Sequence, residues 1–459
     1  MLFCLAYVLG LVYYSATHSW FLGQDFDHLV LLQKLGFKEY LLEPIDIHNP
    51  LPLHRFFCWL FYQPLKMSFA GAMAFLGVLH LAGVYFFYRV LQCIKPGLSS
   101  ALLAGGLCVN FYVLDLFSWW SAGLHRFPYL ALIFIACYMS LAESSQVKPV
   151  RTMICVALVQ LIGLGFFEKA VFLPIYLAVC LAAVYGMQGR FPSRAQLAIV
   201  AATFALSLGY WMVSPHGHQE SPTLEQTFAA GFRYFHYYLI SFLPWRPVNP
   251  PRVAIVGGFF VFFAVASMVV NRRLVVAIGF LILALVANII PLAHSSRVLL
   301  FGQDVVLGAR YFHDNFFLLL MFFHLIAGVL GQKFLKMNVA SRAMRYGLVS
   351  FFVVYGVVAF VAARQEMTAF YLKDGHSGGK RAAKFIANLE QSIRSESVKG
   401  GEIHLQDRIA PQALYVAVFG WPDLPLSKIL MWYDKRAVFV ESKGGYAIND
   451  DGTLQRLAD

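Results

Sequence analysis

Apolar stretches of about twenty residues, each closed by a short polar or basic segment, recur along most of the chain. They predict helices at about 2–17, 67–91, 98–120, 124–142, 152–167, 170–187, 195–214, 253–270, 274–293, 315–332 and 346–363. A hydrocarbon core of roughly 30 Å needs about 20 apolar residues per helix. With no water to satisfy backbone groups there, a helix is the spanning form that such unbroken runs suit. The pattern therefore predicts an all-α polytopic membrane protein of eleven transmembrane helices. No internal repeat or low-complexity segment interrupts it.

The stretches between the runs are informative in three places. After the first run, Leu29, Leu31, Leu32 and Leu35 give one apolar side to a surface helix from His28 to Leu35, and a second helix is expected from Leu53 to Tyr62. Between them stands the turn His48-Asn49-Pro50-Leu51-Pro52. Thr227 to Leu243 predicts another helix lying in the interface, with its rings at headgroup level. The tail changes character, with a Gly-rich start at Asp374, a helix from Lys380 to Ser395, and strands at Glu402–Gln406, Ala437–Glu441 and Tyr446–Ile448. Residues 1–363 are thus expected to form the transmembrane domain, and 364–459 a small α/β or α+β domain.

Composition agrees with the pattern. The 459 residues are 59% hydrophobic and 13% charged, about half the charge of a soluble protein. The net charge of +12 is therefore assigned to bilayer orientation and anionic lipid, and nucleic acid is not expected as a partner. With a cytoplasmic N-terminus, every inner loop is basic (Lys95, Arg151, Arg190, Arg272 and Lys333 among them), and the odd helix count places the tail outside with the first loop. The N-terminal run lacks a basic leader and a small-residue cleavage site, so it reads as a retained helix. Seven cysteines fall almost entirely within apolar runs, without a CxxC motif and without a Cys-His cluster, so neither a disulfide framework nor a zinc site is expected.

Chemistry is concentrated on the outer side. The first loop carries Asp25 and Asp27 in Gly23-Gln24-Asp25-Phe26-Asp27-His28, then Asn49-Pro50-Leu51-Pro52-Leu53 with Trp59. Later come Phe167-Glu168-Lys169-Ala170 and the pair Arg310-Tyr311. This combination resembles the C-type (GT-C) glycosyltransferases, multi-spanning enzymes such as protein O-mannosyltransferases and lipid A aminoarabinose transferases. In that family an acidic pair follows the first membrane helix and a Pro-rich segment follows in the same loop.

The resemblance implies an inverting transferase that moves a sugar from a polyprenyl-phosphate donor of the undecaprenyl type to a hydroxyl of a glycan, lipid or protein acceptor. It also implies a bacterial inner membrane with the site facing the periplasm. Such a donor already has a good leaving group, so the enzyme must deprotonate the acceptor, align it and stabilise departing phosphate. Asp25 is the expected general base, with Asp27 as second carboxylate. Lys169, Arg297 and Arg310 are the expected phosphate cations. Asp115, the one acid inside an apolar run, is expected to line the cavity with His48, Arg126, Glu168 and Tyr311. No cofactor is required; a divalent cation, if used, belongs on Asp25 and Asp27. The alternatives are a polyprenyl-linked glycan ligase or polymerase of O-antigen type and a lipid-linked sugar flippase.

Overall fold

The computed structural model describes residues 2–21, 24–42, 51–66, 68–142, 149–214, 221–239, 241, 250–303, 306, 309–334, 350, 353–365, 379–397, 403–409, 425–427, 437–440 and 445–457. Its helices are α1 Leu2–His18, α2 Gln24–Lys34, α3 Phe37–Leu42, α4 Pro52–Tyr62, α5 Phe69–Ile94, α6 Leu98–Cys108, α7 Val113–Ser118, α8 Trp120–Leu141, α9 Pro149–Phe166 and α10 Leu173–Gln188, the last preceded by a 3-10 turn at Glu168–Phe172. They continue as α11 Arg194–Val213, α12 Leu224–Tyr238, α13 Pro250–Val270, α14 Leu274–Ala293, α15 Ser296–Phe301 and α16 Ala309–Phe334. Then follow α17 Val353–Gln365 and α18 Gly379–Ser397.

Among the described residues, seven helices are long and apolar enough to cross a membrane: α5, α8, α9, the 3-10 turn with α10, α11, α14 and α16. Shorter apolar helices lie at Leu2–Thr17, Leu98–Cys108, Gly257–Val270 and Val353–Gln365, where the other expected spans were placed. Length and composition thus support a multi-pass helical membrane protein with seven candidate spans, a coarser statement than eleven.

The expected continuous helix over 98–120 is a correction. It is broken twice, by a turn around Asn110 and by the extended Trp119 (φ −133°, ψ 102°). Asn110 causes the first break by making its own turn: its Nδ2 donates to the Leu107 carbonyl at 2.7 Å and its Oδ1 accepts from the Tyr112 N–H at 3.0 Å. At the second break α7 folds closely against α8. A Cβ on Gly123 would lie 2.6 Å from the Leu116 carbonyl oxygen, so only glycine fits.

Helix α16 occupies the centre, with 83% of its apolar window buried, while α11 has only 17% buried and exposes Phe204, Leu208, Trp211 and Met212. An apolar face left uncovered in this way suits lipid. Phe87, Phe134, Tyr176 and Phe317 join α5, α8, α10 and α16 in edge-on and tilted ring pairs 5.0–5.2 Å apart.

Helix ends sort into two sets by their contacts. At one end Gln188 donates to the Cys93 and Ile94 carbonyls at 2.7 and 2.8 Å, Asn271 donates to the Gly186 carbonyl at 2.7 Å, and Lys95 binds the Gly328 carbonyl. At the other end Ser19 Oγ donates to the Ser118 carbonyl at 3.3 Å and Tyr234 donates to the Tyr311 carbonyl at 2.8 Å. Helices α1 and α17 run in the same direction: Gly356 packs on Phe3, Phe360 meets Tyr14 edge-on at 5.3 Å, and the Arg364 guanidinium lies 5.7 Å over the Tyr14 ring. The chain therefore leaves α17 on the side where it left α1.

In the tail a four-stranded sheet has the order β2-β1-β3-β4, with β1 Ile403–Gln406, β2 Ala437–Val440, β3 Tyr446–Ile448 and β4 Leu454–Arg456. Strand β1 pairs in parallel with β2 and β3, and β4 closes an antiparallel hairpin on β3. Ala382, Phe385, Ile386, Leu389 and Ile393, at helical spacing, form the buried side of α18. Strand β4 escaped sequence expectation because Leu-Gln-Arg has no apolar alternation.

Topology reporters check the two-sided arrangement. Fusions within the first loop and after Asp450 should report the same side, and a fusion after Asn271 the opposite one; a tail on the Asn271 side would contradict the parallel α1 and α17.

Candidate functional site

Helices α2 and α4 dock onto the start of α8. Pro52 opens α4 at a position where its missing N–H costs nothing. Arg55 Nη1 then ties α4 to α3 by donating to the Tyr40 carbonyl at 2.8 Å. Helix α2 begins at Gln24, four residues earlier than expected, so Asp25 and Asp27 lie in its first turn instead of preceding it. Asp25 is 1% exposed, and its Oδ1 accepts the Ser121 N–H at 2.9 Å. Ser121 is the second residue of α8, and Trp119 supplies no side-chain cap to that helix. The acid of α2 thus caps α8 through space, where an anion suits the positive helix end.

From Ser121 an aromatic column leads to a buried charge cluster. His54 Nε2 lies 3.4 Å from the Ser121 carbonyl. The His54 ring stacks on His125 (3.8 Å, 19°), and His125 stacks on Phe167 (5.5 Å, 19°). Over the same Phe167 ring lie the Arg126 guanidinium at 5.2 Å and the Lys169 ammonium at 5.6 Å. Both cations bind Asp314, Arg126 Nε to Oδ1 at 2.9 Å and Lys169 Nζ to Oδ2 at 2.7 Å. Arg126 also donates to the Ala122 carbonyl at 3.2 Å and lies 5.9 Å from the Tyr311 ring centre.

Side-chain exposure is 5% for Arg126, 0% for Asp314 and 13% for Lys169. Two cations on one carboxylate leave a formal charge of +1, and Lys169 is its most accessible member. Such an arrangement suits an anion approaching from the Lys169 side. Arg126 and Asp314 lie within candidate spans, which departs from the expectation that charge stays in the outer loops.

Sequence expectation and structure meet in part. Lys169, Arg126 and Tyr311 are brought together, and Asp25 is joined to them through His54, His125 and Phe167. Glu168 is exposed, and the ion pair of Lys169 reaches across to Asp314 rather than to this neighbour. Asp115 is half-buried in the first turn of α7. The side chains of Asp27, Arg297 and Arg310, and the whole of His48, lie outside the described residues.

Asp314 was missed as a site residue because its helix was expected to start at 315. It starts at Ala309 and carries the acid inward. A Cys-His grouping was also missed. His54 and Cys58, four residues apart on α4, are 0% exposed and face His28 of α2. Burial, helped by the neighbouring His28, holds the His54 imidazole well below its usual range, so the ring is neutral. Burial, and then the charge of Asp25, pushes the Cys58 thiol well up.

The sequence matches no protein-family model, and no curated protein matches it.

The charge cluster predicts an asymmetry in stability. Asp314→Asn strands two buried cations and should cost about 3–5 kcal/mol, whereas Arg126→Met leaves the neutral Lys169–Asp314 pair and should cost about 1–3 kcal/mol. Unfolding in detergent measures both, and the reverse order would show that Asp314 is not the compensating charge.

Proposed function

We propose that this chain is a membrane glycosyltransferase that moves a sugar from a polyprenyl-phosphate donor, of the undecaprenyl-phosphate type, to a hydroxyl of a glycan, lipid or protein acceptor. The reading places eleven helices in a bacterial inner membrane, with the site and the tail facing the periplasm. The observation that carries it is the Arg126–Asp314–Lys169 cluster, with its surplus positive charge, joined by an aromatic column to the Asp25 carboxylate. Lys169, backed by Arg126, grips the donor phosphate, and Arg297 and Arg310 are further cations for it. Asp25 takes the proton of the acceptor hydroxyl, with Asp27 as second carboxylate. The acceptor oxygen attacks the anomeric carbon, the bond from that carbon to the phosphate oxygen breaks, and polyprenyl phosphate leaves with inversion. The Ser121 N–H holds the base in place.

A second reading, a carrier for lipid-linked sugars, is favoured by one observation: the charges of Arg126 and Asp314 lie inside candidate spans, where ionisable groups mark substrate paths. Glycosidic-bond formation by purified protein separates the two.

Two substitutions test the transferase with a panel of short-chain polyprenyl-phosphate sugars. Asp25→Asn keeps an oxygen for the Ser121 N–H but removes the base, so turnover should fall on the order of 10²-fold or more with donor KM little changed. Near-normal turnover would remove Asp25 from the mechanism. Lys169→Met should raise donor KM and lower kcat, a combined loss of roughly 2–4 kcal/mol. Unchanged donor kinetics would leave Lys169 as a structural ion pair.

A further inference from the structure

Helices α2 and α4 meet through His28, His54 and Cys58, whose candidate donor atoms all lie within 4.8 Å of one another. His54 and Cys58 are one helical turn apart on α4 and wholly buried, and His28 reaches them, half-buried, from α2. Several of their polar contacts are long. His54 Nε2 stands 3.4 Å from the Ser121 carbonyl, Cys58 Sγ is 3.9 Å from His54 Nδ1 and 4.0 Å from its Nε2, and His28 Nδ1 is 3.4 Å from the Tyr40 hydroxyl. Nitrogen and oxygen partners in well-formed hydrogen bonds sit at about 2.7–3.2 Å. These particular contacts are poor hydrogen bonds, and the three residues share another property: all are good ligands for a borderline-soft cation.

We propose that His28, His54 and Cys58 bind one zinc ion, which ties α2 to α4. Zinc holds imidazole nitrogen at about 2.0–2.1 Å and thiolate sulfur at about 2.3 Å in a tetrahedron, so its ligand atoms lie roughly 3.3–3.8 Å apart. Closing the group from 4.8 Å needs a movement of about 1 Å. His28, the one residue of the three that is not wholly buried, can supply it by rotation. Binding exchanges one proton for the metal: the Cys58 thiol loses its proton to solvent and the thiolate sulfur donates its electron pair to zinc, while both imidazoles bind neutral. Three protein ligands leave one tetrahedral position for water on the half-buried His28 side.

Asp25 precedes His28 by three residues on α2, and through Ser121 it touches the same residue that His54 approaches. A metal joining α2 to α4 would therefore also hold the carboxylate that caps α8. The inference requires no transferase activity, because its evidence and its test concern metal alone.

The experiment uses the full chain in detergent, with any affinity tag removed, stripped with a chelator and reloaded with zinc or cobalt. One zinc per chain should survive desalting. Cobalt should give the intense visible bands of a tetrahedral site and a thiolate-to-cobalt charge-transfer band in the near ultraviolet. Cys58→Ser should lose the charge-transfer band, and His28→Gln, at the half-buried position, should weaken zinc at least about tenfold. Zinc should raise the melting temperature of the wild-type chain but not that of His28→Gln. Wild-type protein that retains no zinc, or whose cobalt spectrum lacks the thiolate band, overturns the proposal whether or not the variants fold. Unchanged zinc affinity in both variants overturns it as well.

Discussion

One buried carboxylate joins the helices at the end of this bundle where α2 and α4 pack. Asp314 has no exposed surface and meets a cation on each oxygen, Arg126 from α8 and Lys169 from the turn before α10. Removing any of these charges from water is expensive, and in an apolar bundle the cost is offset only by close pairing. The requirement couples three segments that are far apart in sequence. It ties α16 to α8 and to the 3-10 turn at one point.

Helix α8 is the second organiser. Its first residues receive Asp25 from α2 and His54 from α4, while Trp120, fully buried, packs 4.7 Å from Phe61 of α4 and edge-on to Phe21 at 6.5 Å. A membrane helix that starts with uncapped N–H groups inside protein must find acceptors there. Helix α2 provides one through Asp25, which is buried against the start of α8. Within a few residues α8 then supplies His125 to the aromatic column and Arg126 to the charge cluster. The cap, the column and the ion cluster are consequently built on one turn and a half of the same helix.

Helix α12, expected from the sequence as an interfacial segment, is held by its own cap and by α16. Its capping box, Thr223 with Gln226, fixes its start. Tyr234 and Tyr238, on one side at helical spacing, hydrogen-bond to the Tyr311 and Asn315 carbonyls of α16 at 2.8 and 2.9 Å. Leu224, Phe228 and Phe232 form an exposed apolar row on another side. The hydroxyls satisfy carbonyls of the central helix, and the row of exposed rings suits the membrane boundary.

Much of the fold was legible in the chain because its cause is local. Apolar runs long enough for a bilayer, basic residues closing one set of ends, Pro52 opening α4, and the apolar spacing of α18 are each read within a few residues, since backbone satisfaction and burial act over a turn or a span. The break at Asn110 was written in a single side chain and was overlooked because the surrounding run stays apolar. What only the tertiary structure decided is pairing. Lys169 lies next to Glu168 in sequence yet binds Asp314, 145 residues away; Asp25 caps a helix 96 residues distant; and His28 comes to His54 and Cys58 across a loop. Sequence names the groups that cannot remain unsatisfied in an apolar interior. Which partner satisfies each depends on how helices of similar hydrophobicity pack, and hydropathy is nearly blind to that, because lipid and neighbouring helix offer an apolar side chain almost the same environment.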